Sequence, residues 1–142
     1  MAKNQLLLEI PSGEWKGFFL EKHQPNRGWM HLYLVFDANT MKGEGTDYVG
    51  PWHILGHYDD SGQVQWTKRY LGKHQVHYRG QYSEKGIVGE WTIHNTLTGP
   101  FHIWPKSARE MDEYYLANEV SLEADQLRES LEKLFREQVS VN

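Results

Sequence analysis

From residue 41 to residue 105 the chain runs in short stretches of alternating apolar and polar side chains, punctuated throughout by glycine. Within it stand Gly43-Glu44-Gly45-Thr46-Asp47, Gly50-Pro51-Trp52, Lys68-Arg69-Tyr70, Tyr78-Arg79-Gly80, Gly89-Glu90-Trp91 and Gly99-Pro100-Phe101. Period-two alternation sends successive side chains to opposite faces of a strand, and turn residues between such runs close hairpins. The stretch predicts a β-meander whose first strands come from the segment before it. The segment after it reads as helix.

Strands are expected at 14–21, 29–36, 41–48, 50–58, 63–70, 75–82, 87–94 and 101–104. The run Trp29 to Phe36 is apolar on both faces, which predicts a covering neighbour on its outer side, with the C-terminal helix as the candidate. About eight hairpin-linked strands must deal with their edges, and closing the sheet does so. Gly43, Gly45, Gly56, Gly80 and Gly89 fall inside strands, where a coiled strand crowds a barrel interior. The expected fold is an all-β antiparallel up-and-down barrel over residues 13–105, followed by a long C-terminal helix.

Pro105 ends the meander, and Ser107-Ala108-Arg109-Glu110 has the capping-box form. No Pro or Gly follows up to Gln138, so the pattern reads either as one helix over 107–138 or as two, broken near Asn118 to Ser121 with Ser121 capping the second. Val120, Ala124, Leu127, Leu131 and Leu134 form a narrow stripe on it. Glu129/Lys133 and Glu132/Arg136 add favourable i,i+4 pairs. The stripe either packs on the barrel or makes a homodimer.

Aromatic residues are 13% of the 142, with six Trp and eight Tyr, a content that suits strands. The net charge of −4 is unevenly spread. Residues 107–142 carry four basic and nine acidic side chains, net −5, which leaves the remainder at +1. No basic stripe exists, so nucleic acid is not an expected partner. The absence of cysteine excludes disulfides, thiolate zinc sites and a Cys nucleophile. Leu6-Leu7-Leu8, with Glu9 behind it, is too short for a signal peptide, and no apolar run reaches the ~20 residues of a membrane span. The expectation is a cytoplasmic protein without a membrane partner.

Lys68 stands out. It alternates in phase with Val64, Trp66 and Tyr70 and should point into the barrel, where an unpaired ammonium is costly. Asp47, in phase with Gly43 and Gly45, is the expected partner. The candidate ligand site is therefore an Asp47–Lys68 pair near one mouth, lined by Tyr58, Trp66, Tyr70, Tyr78 and Trp91. An aromatic cavity with one charged anchor is the usual make-up of a small-molecule site. Packed solid, the same barrel would be an interaction module recruiting a partner through its helix. With Asp47 as base or Lys68 as electrophile it would be an enzyme of isomerase or cyclase type. No Ser-His-Asp arrangement is legible. His94 and His102 flank the last hairpin and His31 could join them, but no converging ligand set is spelled out, so neither metal nor cofactor is expected.

Gly13-Glu14-Trp15 opening the first strand, the hairpin-linked run and the helix after the last strand resemble the calycins (lipocalins, fatty-acid-binding proteins and avidins). In lipocalins the Trp of Gly-x-Trp closes one barrel end and an Arg after the last strand packs over it. The resemblance implies that Trp15 and Arg109 form this pair. Thr46-Asp47-Tyr48 also spells a lipocalin signature, but at a position too early in the chain.

Overall fold

Eight antiparallel strands follow one another around a closed barrel: β1 (Gly13–Phe19), β2 (Gly28–Asp37), β3 (Thr40–Asp47), β4 (Gly50–Tyr58), β5 (Gln63–Tyr70), β6 (Gln75–Ser83), β7 (Gly86–Ile93) and β8 (Leu97–Pro105). The structure, a computed structural model, describes residues 9–21, 27–72, 74–94 and 96–118, together with residues 129, 133 and 136. Each strand pairs with the next. β1 closes the ring on β8, from Trp15 opposite Pro105 to Phe19 opposite Phe101. The up-and-down barrel expected from the alternation is the fold.

Local chemistry sets the hairpins. Ala38 and Asn39 join β2 to β3 with φ of 50° and 67°, the two left-handed residues whose twist matches that of paired strands. At the β4–β5 turn the Asp59 carboxylate accepts from Ser61 N at 3.0 Å and Gln63 N at 3.0 Å, and Gly62 supplies a φ of 89°. These two turns and the β6–β7 turn lie at one end of the barrel. The strand ends that lead into the β1–β2, β3–β4, β5–β6 and β7–β8 connections lie at the other, which is the mouth.

Alternation fills the interior. Met30, Leu32 and Leu34 of β2 point inward with Val64 and Trp66 of β5 and Val76 and Tyr78 of β6. His31, Glu44, His53, Gln65 and His77 point outward and are exposed, the reverse of a lipid-facing barrel. Trp66 stacks on Tyr78 with ring centroids 5.0 Å apart, and Phe101 meets both edge-on. The space left at Gly45 is taken by an indole: a Cβ there would lie 2.4 Å from the Trp52 ring. At the end away from the mouth Trp15, 1% exposed, donates to Pro11 O at 2.8 Å and packs on Phe36. Arg109 is exposed, so the Arg cap implied for Trp15 is not formed.

The last strand and the helix also differ from expectation. β8 begins at Leu97 rather than 101, because Leu97 to Pro100 pair with Ile93 to Glu90 of β7. Gly99-Pro100 is thus strand, and the missing side chain of Gly99 admits the Leu20 carbonyl and the Trp91 indole. In place of one long helix over 107–138, the described helix is the short α1 (Arg109–Asn118). It starts two residues after Ser107, in a turn where Pro105 O accepts from Ala108 N at 2.8 Å and Ser107 O from Arg109 N at 3.0 Å. Most of the remaining stretch, with its apolar stripe, lies outside the described residues; Glu129, Lys133 and Arg136 within it are helical.

The described helix docks on β1 and β8 and not on β2. Ala108 and Met111 pack on Phe18, Leu20 and Trp104, on the outside of β1 and β8. Trp104 Nε1 and Lys16 Nζ each reach Asp112 Oδ1 at 2.9 Å. Among the described residues no helix lies over the outer side of β2, where Trp29 and Tyr33 are exposed. Among the described residues no helix is long and apolar enough to cross a membrane.

Candidate functional site at the barrel mouth

The mouth holds a pocket of about 190 Å³. Strand ends supply its walls, with Phe19 from β1, Lys68 and Tyr70 from β5, Tyr78 from β6 and Trp91 from β7. Connections supply its rim, with Glu21, Tyr48 and His74. Four hairpin ends thus converge on one small space.

Lys68 is only 1% exposed, as its inward phase requires. Its ammonium donates to Asp47 Oδ2 at 3.0 Å and makes a long contact to Met30 Sδ at 3.7 Å. Rings of Phe19, Trp52, Tyr70 and Tyr78 stand 4.9–5.1 Å from it, within cation–π range. Burial pulls the Lys68 ammonium down to about 8, against the opposing pull of the Asp47 carboxylate.

Asp47 is the hub. Oδ2 accepts from Lys68, from Tyr70 OH at 2.6 Å and from Trp52 Nε1 at 3.2 Å, while Oδ1 accepts from Val49 N at 2.9 Å. Its side chain is fully buried. Burial, followed by the hydrogen bond to Asp47, pushes the Tyr70 phenol well above its ordinary range. Burial raises Tyr78 similarly. Two residues that line the pocket keep spare polar capacity. Among the described residues the third ammonium hydrogen of Lys68 has no acceptor, and the Tyr78 hydroxyl makes only a 3.9 Å contact to Met30 Sδ. At the rim the Tyr48 hydroxyl donates to Glu21 Oε1. Burial and this carboxylate push Tyr48 up to about 12.

Asp47, Lys68, Tyr70, Tyr78 and Trp91 therefore come together at the mouth, the last with its indole N–H on Leu20 O at 2.9 Å. Trp66 sits one level deeper, behind Tyr78. Tyr58 lies at the opposite end of the barrel, edge-on to Phe36. Sequence reasoning did not reach Phe19, Glu21, Tyr48, Trp52 or His74. Phe19 and Trp52 lie in phase on expected strands, Glu21 and Tyr48 fall at the ends of expected strands that stop at Phe19 and Asp47, and His74 falls in a turn. The histidines weighed for a metal do not converge, since His102 is buried against Lys85 O at 2.5 Å while His31 is exposed. Among the described residues no three His, Cys, Asp or Glu side chains could hold an ion.

This geometry defines the class: a closed eight-stranded antiparallel barrel with a polar, aromatic-walled pocket at one mouth. Compared with protein-family models, curated proteins and solved structures, the chain matches none of them.

Proposed function

We propose that the protein binds a small, partly apolar molecule in the mouth pocket, with Lys68 as polar anchor and Phe19, Tyr70, Tyr78 and Trp91 as walls. One observation carries the reading: a lysine 1% exposed lines an open pocket of about 190 Å³ with an ammonium hydrogen unspent. A buried ion pair with a purely structural role is best enclosed, with every remaining donor satisfied. Asp47 meets that description and Lys68 does not. A pocket of this size suits a ligand smaller than a drug molecule. The calycin-like plan, one end sealed by Trp15 and a pocket at the other, supports the same reading.

A fragment screen followed by the indole N–H resonances tests it. Fragments that bind should shift Trp91 and Trp52 together, and their affinity should fall about tenfold or more in Lys68→Met. Binding that leaves both indoles unmoved, or that Lys68→Met retains in full, would contradict the proposal.

A further inference from the structure

The charge already inside the pocket narrows the ligand class. The Lys68 ammonium is balanced by Asp47 at 3.0 Å. The Tyr70 hydroxyl and the Trp52 indole are spent on the same carboxylate. Glu21 adds a second carboxylate at the rim, and its field reaches both Lys68 and Tyr78. His74 stands against Tyr70 at the exposed rim, where solvent screens it.

A ligand carboxylate would meet the Tyr78 hydroxyl and an ammonium already shared with the buried Asp47 carboxylate, which would repel it. Like charges held close in a poorly solvated space cost several times what they cost in water. A ligand cation would meet the Lys68 ammonium among aromatic faces that it already occupies. An uncharged carbonyl oxygen avoids both conflicts. It can accept from the third Lys68 hydrogen and from the Tyr78 hydroxyl, the two donors with spare capacity.

Resting on the reading of the mouth as a ligand site, we infer that the protein selects an apolar molecule ending in an uncharged carbonyl, with the oxygen at Lys68 and Tyr78. The apolar body runs outward along Trp91 to Tyr48 and Leu97, which line the pocket while remaining 69% and 59% exposed. These rim side chains have apolar surface still to bury, and an apolar tail covers it.

Three matched probes test the inference: acetophenone, benzoate and benzylammonium, each titrated while the Trp91 and Trp52 indole resonances are followed. Acetophenone and benzoate differ chiefly in a methyl group against a charged oxygen. The expected result is acetophenone binding about tenfold or more tighter than either ion. That advantage should shrink in Tyr78→Phe, which removes one hydroxyl and keeps the ring, and in Lys68→Met. If benzoate or benzylammonium shifts the same indoles with equal or greater affinity, the carbonyl inference is overturned and the mouth stands as a ligand site. If no probe moves either indole, both fall.

Discussion

Asp47 accepts four hydrogen bonds while its side chain is fully buried. Removing it strands an ammonium, an indole and a phenol, whereas removing Lys68 leaves the carboxylate three donors. We therefore expect Asp47→Ala to cost about 3–5 kcal/mol in urea denaturation and Lys68→Met clearly less. Equal losses would mean that the two groups do not act as described. The pH dependence follows from the same burial. Lys68 binds its proton more weakly folded, at about 8, than unfolded, at 10.5. Above pH 8 the unfolded chain therefore holds the extra proton, and stability rises with pH. Above pH 10.0 the raised phenols of Tyr48, Tyr70 and Tyr78 reverse the trend, because the unfolded chain loses their protons first. The urea midpoint should climb between pH 8 and 10 in the wild type and stay flat there in Lys68→Met. At this scale the Asp47–Lys68 pair was legible, because a charged residue in phase with apolar ones has to find a partner. Tyr58 and Trp66 show where that reasoning ends. Strand phase reports the face a side chain takes but not its height along the barrel, so a residue from the far end was grouped with the mouth. Glu21, Tyr48 and His74 sit in connections, where no period operates.

Among the elements, the hairpins follow directly from their residues, and the helix does not. The capping-box pattern at Ser107 to Glu110 placed the start of the helix two residues early. Its docking depends on Trp104 and Lys16 converging on Asp112, a contact between distant positions that no local pattern announces. Burial would raise the Asp112 carboxyl, but bonds from Lys16 and Trp104 outweigh it and hold the group below its usual range. Asp112→Ala should lower stability by about 1–2 kcal/mol in urea denaturation. It should also speed amide exchange across α1 while leaving the strands protected. Uniform loss of protection would show that α1 is not a separately docked element. In β3, Gly45→Ala would drive a Cβ to 2.4 Å from the Trp52 ring and 2.2 Å from His31 O. Overpacking of this kind costs about 1–3 kcal/mol, and thermal unfolding should register it. Strand position alone marked Gly45 as a place of crowding, but not the side chain that crowds it.

For the molecule as a whole, alternation, turn spacing and the edge problem together made the closed barrel legible. Its partial filling was not, since that depends on how rings from eight strands stack. Trp66, Tyr78 and Phe101 close the middle, Trp15 seals one end, and among the described residues the mouth keeps a pocket. On the outer wall His102 is 1% exposed beneath the β8 surface. Burial holds it at about 4, against 6.5 in the unfolded chain. Unfolding therefore takes up a proton between these values, and stability should fall as pH drops from 6.5 to 4. His102→Gln, which keeps a donor for Lys85 O, should flatten that limb of the curve. Ligand binding at the mouth requires that Lys68, though buried, lines a pocket that small molecules can enter. Trace acetylation with acetic anhydride across pH 7 to 10, mapped residue by residue, tests it most directly. Lys68 should react in the folded protein with a midpoint near 8 and be protected by acetophenone. A Lys68 that stays unmodified until the barrel unfolds would contradict it.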